Sequence, residues 1–422
     1  MKAIVFGIKD DYISEQEYES EITELKNLAY ACNIEVISEI SQHLKEPIST
    51  TYFGKGKVEE LKMMVDSLEV DVVICNDELT NMQISNLNKK MEVEVYDRTY
   101  LILEIFKERA RTKEAQLQVE IARLSYLLPR LQGLGKGLSR QRGSGGGFAH
   151  GKGAGETKLE LDRRINEASI LSLRKELKEL TKTRKLQRER RKTSKIPIVS
   201  LVGYTNAGKS TIMNSILSMT SSKEEKKVFE KDMLFATLET SSRRIENKNG
   251  AFILTDTVGF IKKLPHHLIE AFKSTLEEIN ESDLIIHVID VSNPSWMEQM
   301  DVTNEVLETL EVKDIPFIYC FNKIDKIDEE KFTNAPFYLP NSVYISAKNK
   351  DNFDLLLNQI YDVIYQDYLS IKVFVPFGQE KVKKYIYENG LFVNEKVSEG
   401  GFTYSLKIRK GFEKYLTDYL VK

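Results

Sequence analysis

The stretch Gly203-Tyr-Thr-Asn-Ala-Gly-Lys-Ser210 constrains this chain more than any other. It fits the pattern G-x-x-x-x-G-K-[ST] at every fixed position. The apolar run before it, Ile196 to Val202, reads as a buried strand. Thr211 to Leu217 reads as an apolar-striped helix. A loop set between strand and helix turns successive backbone N–H groups inward, and the helix N-terminus adds partial positive charge. The expected ligand is therefore a polyphosphate. Lys209 would reach the β and γ phosphates, and the Ser210 hydroxyl would ligate Mg²⁺.

Three further motifs follow in order. Asp256-Thr-Val-Gly259 comes directly after the strand-like Phe252 to Thr255. An Asp there can hold Mg²⁺ through a water, and the Gly259 N–H can sense the γ-phosphate. Asn322-Lys-Ile-Asp325 ends another strand-like run. The Asp325 carboxylate can accept hydrogen bonds from guanine N1–H and N2–H₂, which adenine cannot supply. Asn322 can read guanine N7 or O6, and the Lys323 stem can pack on the base. Ser346-Ala-Lys348 follows the last strand and offers N–H groups near O6. Phe235-Ala-Thr-Leu-Glu239 lies between the first two motifs, with Thr237 the best Mg²⁺ ligand and Thr240 its competitor. The expected nucleotide-contacting set is thus Gly203, Tyr204, Thr205, Asn206, Ala207, Gly208, Lys209, Ser210, Thr211, Phe235, Ala236, Thr237, Leu238, Glu239, Asp256, Thr257, Val258, Gly259, Asn322, Lys323, Ile324, Asp325, Ser346, Ala347 and Lys348. Lys209, Thr237, Gly259 and Asn206 are the expected catalytic residues; Ser210, Thr237 and Asp256 are the expected metal ligands.

The position after Gly259 holds Phe260, where many GTPases carry a Gln that orients the attacking water. Phe260 cannot do this, so hydrolysis needs another water-positioner or runs slowly. Asn206 either helps hold a K⁺ near the β/γ bridge or simply orders its loop. His266 and His267 read as exposed loop histidines.

With 422 residues the chain should form two to four domains. No run approaches the ~20 apolar residues of a membrane span. Cys32, Cys75 and Cys320 are isolated, which fits buried thiols in a reducing cytoplasm. Residues 1–105 alternate strands and helices and predict a parallel-sheet α/β domain. Within it, Gly54-Lys-Gly-Lys57 is either an anion-binding turn or a plain tight turn. Residues 106–195 read as a helical hairpin. Leu117, Ile121, Leu124, Leu128 and Leu131 are spaced 4, 3, 4, 3, a coiled-coil-like seam. Pro129 should kink or end that helix. Gly133 to Gly155 holds 10 of the 22 glycines, so a long loop is expected there. A second helix should resume at Thr157. Residues 196–368 should form the nucleotide domain on a mostly parallel mixed sheet, its last helix running from Asp351 to Tyr368. Residues 369–422 read as a small α/β appendage.

The net charge of −3 hides an asymmetry: Lys107 to Lys195 carries 24 basic and 10 acidic residues, a net of +14. That points to a polyanionic partner. The glycine loop adds Lys136, Arg140, Arg142, His150 and Lys152 with the single aromatic Phe148. This suits RNA, or else a disordered connector.

Several stretches together resemble the HflX-type GTPases of the translation-factor class. They are Gly54-Lys-Gly-Lys-Val-Glu-Glu-Leu61, Asp97-Arg-Thr-Tyr-Leu-Ile-Leu103, Arg109-Ala-Arg-Thr-Lys-Glu114 with Leu117-Gln-Val-Glu120, Tyr126-Leu-Leu-Pro-Arg-Leu131, Gly155-Glu-Thr-Lys-Leu-Glu160, Asp162-Arg-Arg164, the phosphate loop, Leu234-Phe-Ala-Thr-Leu238 and Asp256-Thr-Val-Gly-Phe-Ile261. The resemblance spans nearly the whole chain. It implies a monomeric, cytoplasmic GTPase that binds the large (50S) ribosomal subunit and splits stalled or idle ribosomes under stress, its hairpin reaching ribosomal RNA. It also implies that Thr237 is the Mg²⁺ ligand of the first switch and that Phe260 is the family's apolar substitute for Gln. Two departures stand out. The loop reads Gly146-Gly-Phe-Ala-His-Gly-Lys-Gly-Ala-Gly-Glu156, one residue longer than the family's and with Ala154 for its proline. The switch continues Leu238-Glu-Thr-Ser241 rather than Leu-Asp-Pro-Thr. These departures raise the option of a divergent subgroup that displaces ribosome-bound antibiotics. Two other functions compete: an RNA-remodelling ATPase built on the N-terminal sheet, and an RNA-binding GTP switch with negligible turnover.

Overall fold

The computed structural model of the chain describes residues 1–141, 154–192, 196–220, 234–235, 240–247, 250–265, 268, 272, 276–327 and 339–421. It is a multidomain α/β protein with three separate sheets among the described residues.

The first sheet is fully parallel, ordered β2-β1-β3-β4, with β1 Lys2–Lys9, β2 Glu35–His43, β3 Val72–Cys75 and β4 Glu94–Asp97. β1 and β3 are apolar on both faces because helices cover both sides. Helix α1 (Glu15–Ala31) is capped by the Ser14 hydroxyl, and α3 (Asn81–Met91) by a Thr80/Gln83 capping box. α1 packs on one face together with α4 (Arg98–Arg109). α2 (Lys55–Leu68) and α3 pack on the other face.

The helical region differs from the sequence expectation. Ala110 is extended, and the Thr112 hydroxyl accepts from the Ala115 N–H, so α4 and α5 (Lys113–Gln141) are separate helices. α5 runs through Pro129 and through Gly133, Gly135 and Gly137. Pro129 removes one ladder bond, yet the apolar rhythm continues in sequence at Leu131, Leu134 and Leu138. Lys136 and Arg140 therefore belong to a helix rather than a loop. α6 (Ala154–Lys192) starts three residues before Thr157 and packs along α5, with Lys113 paired to Glu176 at 3.2 Å. Arg142, Phe148, His150 and Lys152 lie outside the described residues. No described helix is long and apolar enough to cross a membrane.

The second sheet is ordered β10-β9-β8-β5-β7-β6. Its strands are β5 Ile198–Gly203, β6 Ser241–Asn247, β7 Gly250–Asp256, β8 Leu284–Asp290, β9 Phe317–Asn322 and β10 Ser342–Tyr344. All neighbours are parallel except the β6/β7 pair. The sequence gives no strong signal for β6, whose polar residues face out on an edge. β5 is central, so the loop after it stands at the middle of the sheet's carboxyl end. Helices α7 (Lys209–Thr220), α8 (Trp296–Thr309) and α9 (Phe353–Ile364) pack with this sheet. α9 stops at Ile364, short of Tyr368. That residue instead starts β11 (Tyr368–Pro376), which pairs with β13 (Gly401–Arg409). β12 (Gly390–Ser398) closes the third sheet, ordered β11-β13-β12, covered on one face by α10 (Glu380–Asn389). Cys75 and Cys320 are buried and Cys32 half-buried, all as free thiols.

Candidate functional site

The loop after β5 is built as a nest over the sheet. Thr205 N–H donates to the Phe260 carbonyl at 2.7 Å, and Phe260 N–H donates to the Gly203 carbonyl at 3.2 Å. The segment after β7 therefore runs beside the phosphate loop. Gly208 has φ +99°, and a Cβ there would stand 2.2 Å from Asn322 Nδ2. Gly259 allows a second close approach: a Cβ on it would stand 2.9 Å from Lys209 Nζ. Val258 and Thr257 stand beside it on the same segment, and the Thr257 hydroxyl donates to the Leu201 carbonyl at 2.7 Å.

Lys209 is buried, and its Nζ donates to the Gly203 and Tyr204 carbonyls at 3.0 and 2.8 Å. Burial pushes its ammonium down to about 8, with nearby Asp256 opposing. Ser210 Oγ donates to Asp256 Oδ2 at 2.6 Å, which joins a hydroxyl and a fully buried carboxylate at the loop's mouth. The buried Thr205 Oγ1 has no partner among the described residues. His287, on β8 beside Val202, is 1% exposed, and burial drives its pKa down to about 3. It is a neutral core histidine beneath the loop.

The far side of the site is a cleft of about 420 Å³. Asn206, Gly208, Thr211, Asp325, Lys323 and Lys348 all line it. Ser346 Oγ donates to Asp325 Oδ1 at 2.6 Å and aims that carboxylate. Lys323 Nζ is held by Asp290 Oδ2 at 2.7 Å, and Ile324 N–H donates to the Ile345 carbonyl. The structure gives Asn322 a backbone-tying job beside the base-reading one expected. Its amide donates to the Ala207 carbonyl at 2.9 Å and accepts from Ala347 N–H at 2.9 Å. Both ends thus meet backbone and tie the phosphate loop to the Ser346–Lys348 turn, while the amide keeps a second N–H. Phe235 is buried against Phe106 of α4, ring centroids 4.7 Å apart. Ala236, Thr237, Leu238, Glu239, His266 and His267 lie outside the described residues.

Sequence reading missed the residues that tie this site to the first sheet. The Tyr204 hydroxyl donates to Glu24, which also holds the buried Arg98. Lys262 N–H donates to the same hydroxyl at 2.7 Å. Lys262 Nζ meets Glu17 at 2.5 Å, and Lys263 Nζ meets Glu21 and Asp77 at 2.7 Å each. Burial would raise the Glu21 carboxyl, but Lys263 and Lys262 hold it below the usual range.

Comparison with known proteins decides the family. A GTPase HflX of Caldanaerobacter subterraneus is 43% identical over 97% of this chain and 92% of its own length. The chain belongs to the HflX family of GTPases. The HflX of Escherichia coli K12 is 34% identical, covering 97% of this chain and 96% of its own. Residues 19–107, 109–191 and 198–323 match the family descriptions GTP-binding GTPase N-terminal, GTP-binding GTPase middle region and 50S ribosome-binding GTPase. Among solved structures, a GTP-binding protein of Sulfolobus solfataricus in complex with GDP is 26% identical, with a TM-score of 0.44, over 87% of this chain and 99% of that one. This HflX-family chain is a GTP-binding and GTP-hydrolysing enzyme.

Proposed function

We propose that this GTPase acts on the large (50S) ribosomal subunit and splits or rescues stalled or idle ribosomes, as a monomer in the cytoplasm. The observation that carries it is the match of residues 198–323 to a family described as 50S ribosome-binding GTPase. The net +14 of the hairpin region supplies a surface suited to ribosomal RNA.

At the site, Asp325 reads the guanine edge, and Asn322 acts as the tie that keeps the base turn in register with the phosphate loop. Lys209 leaves its two carbonyls to meet the phosphates. The residues fit Mg²⁺, since Ser210 and Asp256 bring hard oxygens together at the loop's mouth. Ser210 would hold the ion directly, Asp256 through a water, and Thr237 from the first switch. The metal would neutralise charge on the phosphates. The Gly259 N–H senses the terminal phosphate. Phe260 is 1% exposed and part of the core, so it orients no water. Turnover then depends on groups that the bound ribosome brings into place. Asn206 is exposed with φ 61°, and K⁺ near its carboxamide would add positive charge; equal turnover in K⁺ and Na⁺ buffers refutes that role.

The deciding experiment is sedimentation of ribosomes with the protein and GTP, a non-hydrolysable analogue, or GDP. Splitting with GTP and the analogue but not GDP supports the reading. Intact ribosomes in all three, with no protein in the large-subunit fractions, refute it.

A further inference from the structure

The third sheet leaves one face open beyond its Leu391–Lys407 end, where Leu391 packs into the core of the second sheet, and the charges of the open part are one-sided. Cross-strand register defines that face, because residues directly opposite one another share a side. Ser370, Lys372 and Phe374 of β11 stand opposite Lys407, Ser405 and Thr403 of β13. Asn394 and Lys396 of β12 stand opposite Ser405 and Thr403 from the other side. Arg409 ends the row on β13. The opposite face carries Val373, Tyr404, Leu406 and Ile408, which pack with α10.

The three strands hold a single carboxylate, Glu395, and register places it on the covered face opposite Tyr404. There it accepts from Tyr387 at 2.6 Å and meets Lys383 at 3.5 Å. On its own strands the open face therefore carries Lys372, Lys396, Lys407 and Arg409 and no acid, while Asp362 of α9 stands near Lys407 at the packed end. Lys372, Lys396 and Arg409 are exposed and make no ion pair among the described residues. Lys407 is the exception in posture: its Nζ lies 4.2 Å over the Tyr365 ring, at the junction with the second sheet.

We propose that this open sheet face is a second RNA-docking surface, separate from the helical hairpin, which grips the phosphate backbone of the large-subunit RNA. The proposal rests on the ribosome reading above. Lys372 and Lys396 flank β13 two strand spacings apart, about 10 Å, so they can straddle one backbone. The Ser405 hydroxyl lies between them, with the Ser398-bonded Thr403 hydroxyl beside it and the Asn394 amide next to Lys396 on β12, and these groups can bond phosphate and ribose oxygens. The half-buried Phe374 ring offers a flat surface at the rim. An anionic membrane is a poorer match, since the face presents no exposed apolar wedge to enter lipid.

The test uses the full chain with a non-hydrolysable GTP analogue. Binding is measured to purified large subunits and to protein-stripped large-subunit RNA across a salt series. The triple variant Lys372→Gln/Lys396→Gln/Arg409→Gln should bind stripped RNA about tenfold more weakly. Its slope of log affinity against log salt should fall by about 2 to 3. GTP turnover without RNA should match the parent, which also reports that the variant is folded. A control on the helical side, Lys381→Gln/Lys384→Gln/Lys414→Gln, should bind like the parent. An unchanged salt slope in the first triple overturns the proposal. So does equal weakening in both triples, which would mean only net charge matters. Loss confined to phosphatidylserine vesicles overturns it as well. If the parent binds stripped RNA through this face yet ignores intact subunits, the ribosome reading fails and the face stands.

Discussion

Raising the pH from 7 to 9 should weaken GTP binding about tenfold, through one group. Lys209 sits under the loop with its ammonium pushed down to about 8 by burial. In the complex its charge faces the phosphates, which hold the proton far more tightly. Below pH 8 the lysine is charged before and after binding, so affinity is flat. Above pH 8 the free protein has lost the proton and must regain it to bind. Between pH 7 and 9 the protonated fraction of the free form falls about tenfold, or ~1.4 kcal/mol. The terminal phosphate ionises near pH 6 and adds little in this window; guanine N1–H begins to ionise only at its top, and the Lys209→Arg control below carries that contribution too. Two assays check this. Fluorescent-nucleotide titrations should show the affinity falling only above pH 8. Calorimetry in buffers of differing ionisation heat should show about half a proton taken up per GTP at pH 8. Lys209→Arg stays charged, so its affinity, though weaker, should be flat with pH. A flat profile in the parent, or the same slope in Lys209→Arg, refutes the argument.

Three other outcomes follow from particular contacts. Asn322→Ala cuts two buried ties and strands the Ala207 carbonyl and the Ala347 N–H. It should cost about 2 kcal/mol in urea unfolding and weaken GTP and GDP alike; weakened GTP with unchanged GDP would contradict a tie. Phe106→Ala empties a position packed between Phe235 and Phe272, whose ring centroids lie 4.7 and 4.9 Å away. A loss of about 3–5 kcal/mol is expected, and Phe106→Leu should recover most of it. His287 is neutral in the fold, with a pKa near 3 against the ordinary value near 6.5. The unfolded chain takes up the proton first, so stability is full above pH 6.5 and falls as pH drops towards 3. The loss should reach about 1.4 kcal/mol by pH 5.5, and His287→Phe should remove it.

What the sequence made legible was whatever is local. The phosphate loop, Asp256–Gly259 and Asn322–Asp325 are short patterns at strand ends, and β5, β7 and β9 place them along one edge. The tie that Asn322 makes was not legible, because its partners Ala207 and Ala347 come from two other loops. Nothing near Lys262 and Lys263 in the sequence marks their pairing, since their acids lie more than 180 residues upstream. β6 was missed because an edge strand has no buried run to announce it. The helix through Pro129 was missed because breaker rules weigh one residue, while a long helix packed on a partner tolerates one lost bond.

Lys263 also bears on the competing ATPase reading. In open α/β sheets a ligand sits beyond the carboxyl ends of the strands, where the crossover direction reverses. In the first sheet that point lies between β1 and β3, because α1 covers one face and α3 the other. The residues there are Asn76 and Asp77 after β3 and Glu21 on α1. Asn76 bonds Glu21 and Arg98, and Asp77 bonds Tyr52. Lys263 enters this crevice and pairs with Glu21 and Asp77. The Gly54 turn is engaged as well: its N–H donates to Gln42, and Lys57 pairs with Glu60. A nucleotide at the N-terminal sheet would have to expel a paired lysine and face two carboxylates. The crevice is suited to a cation, and the cation it holds comes from the segment that follows Gly259. The first sheet is thus a platform for the second, and it touches the phosphate loop through the Tyr204 hydroxyl.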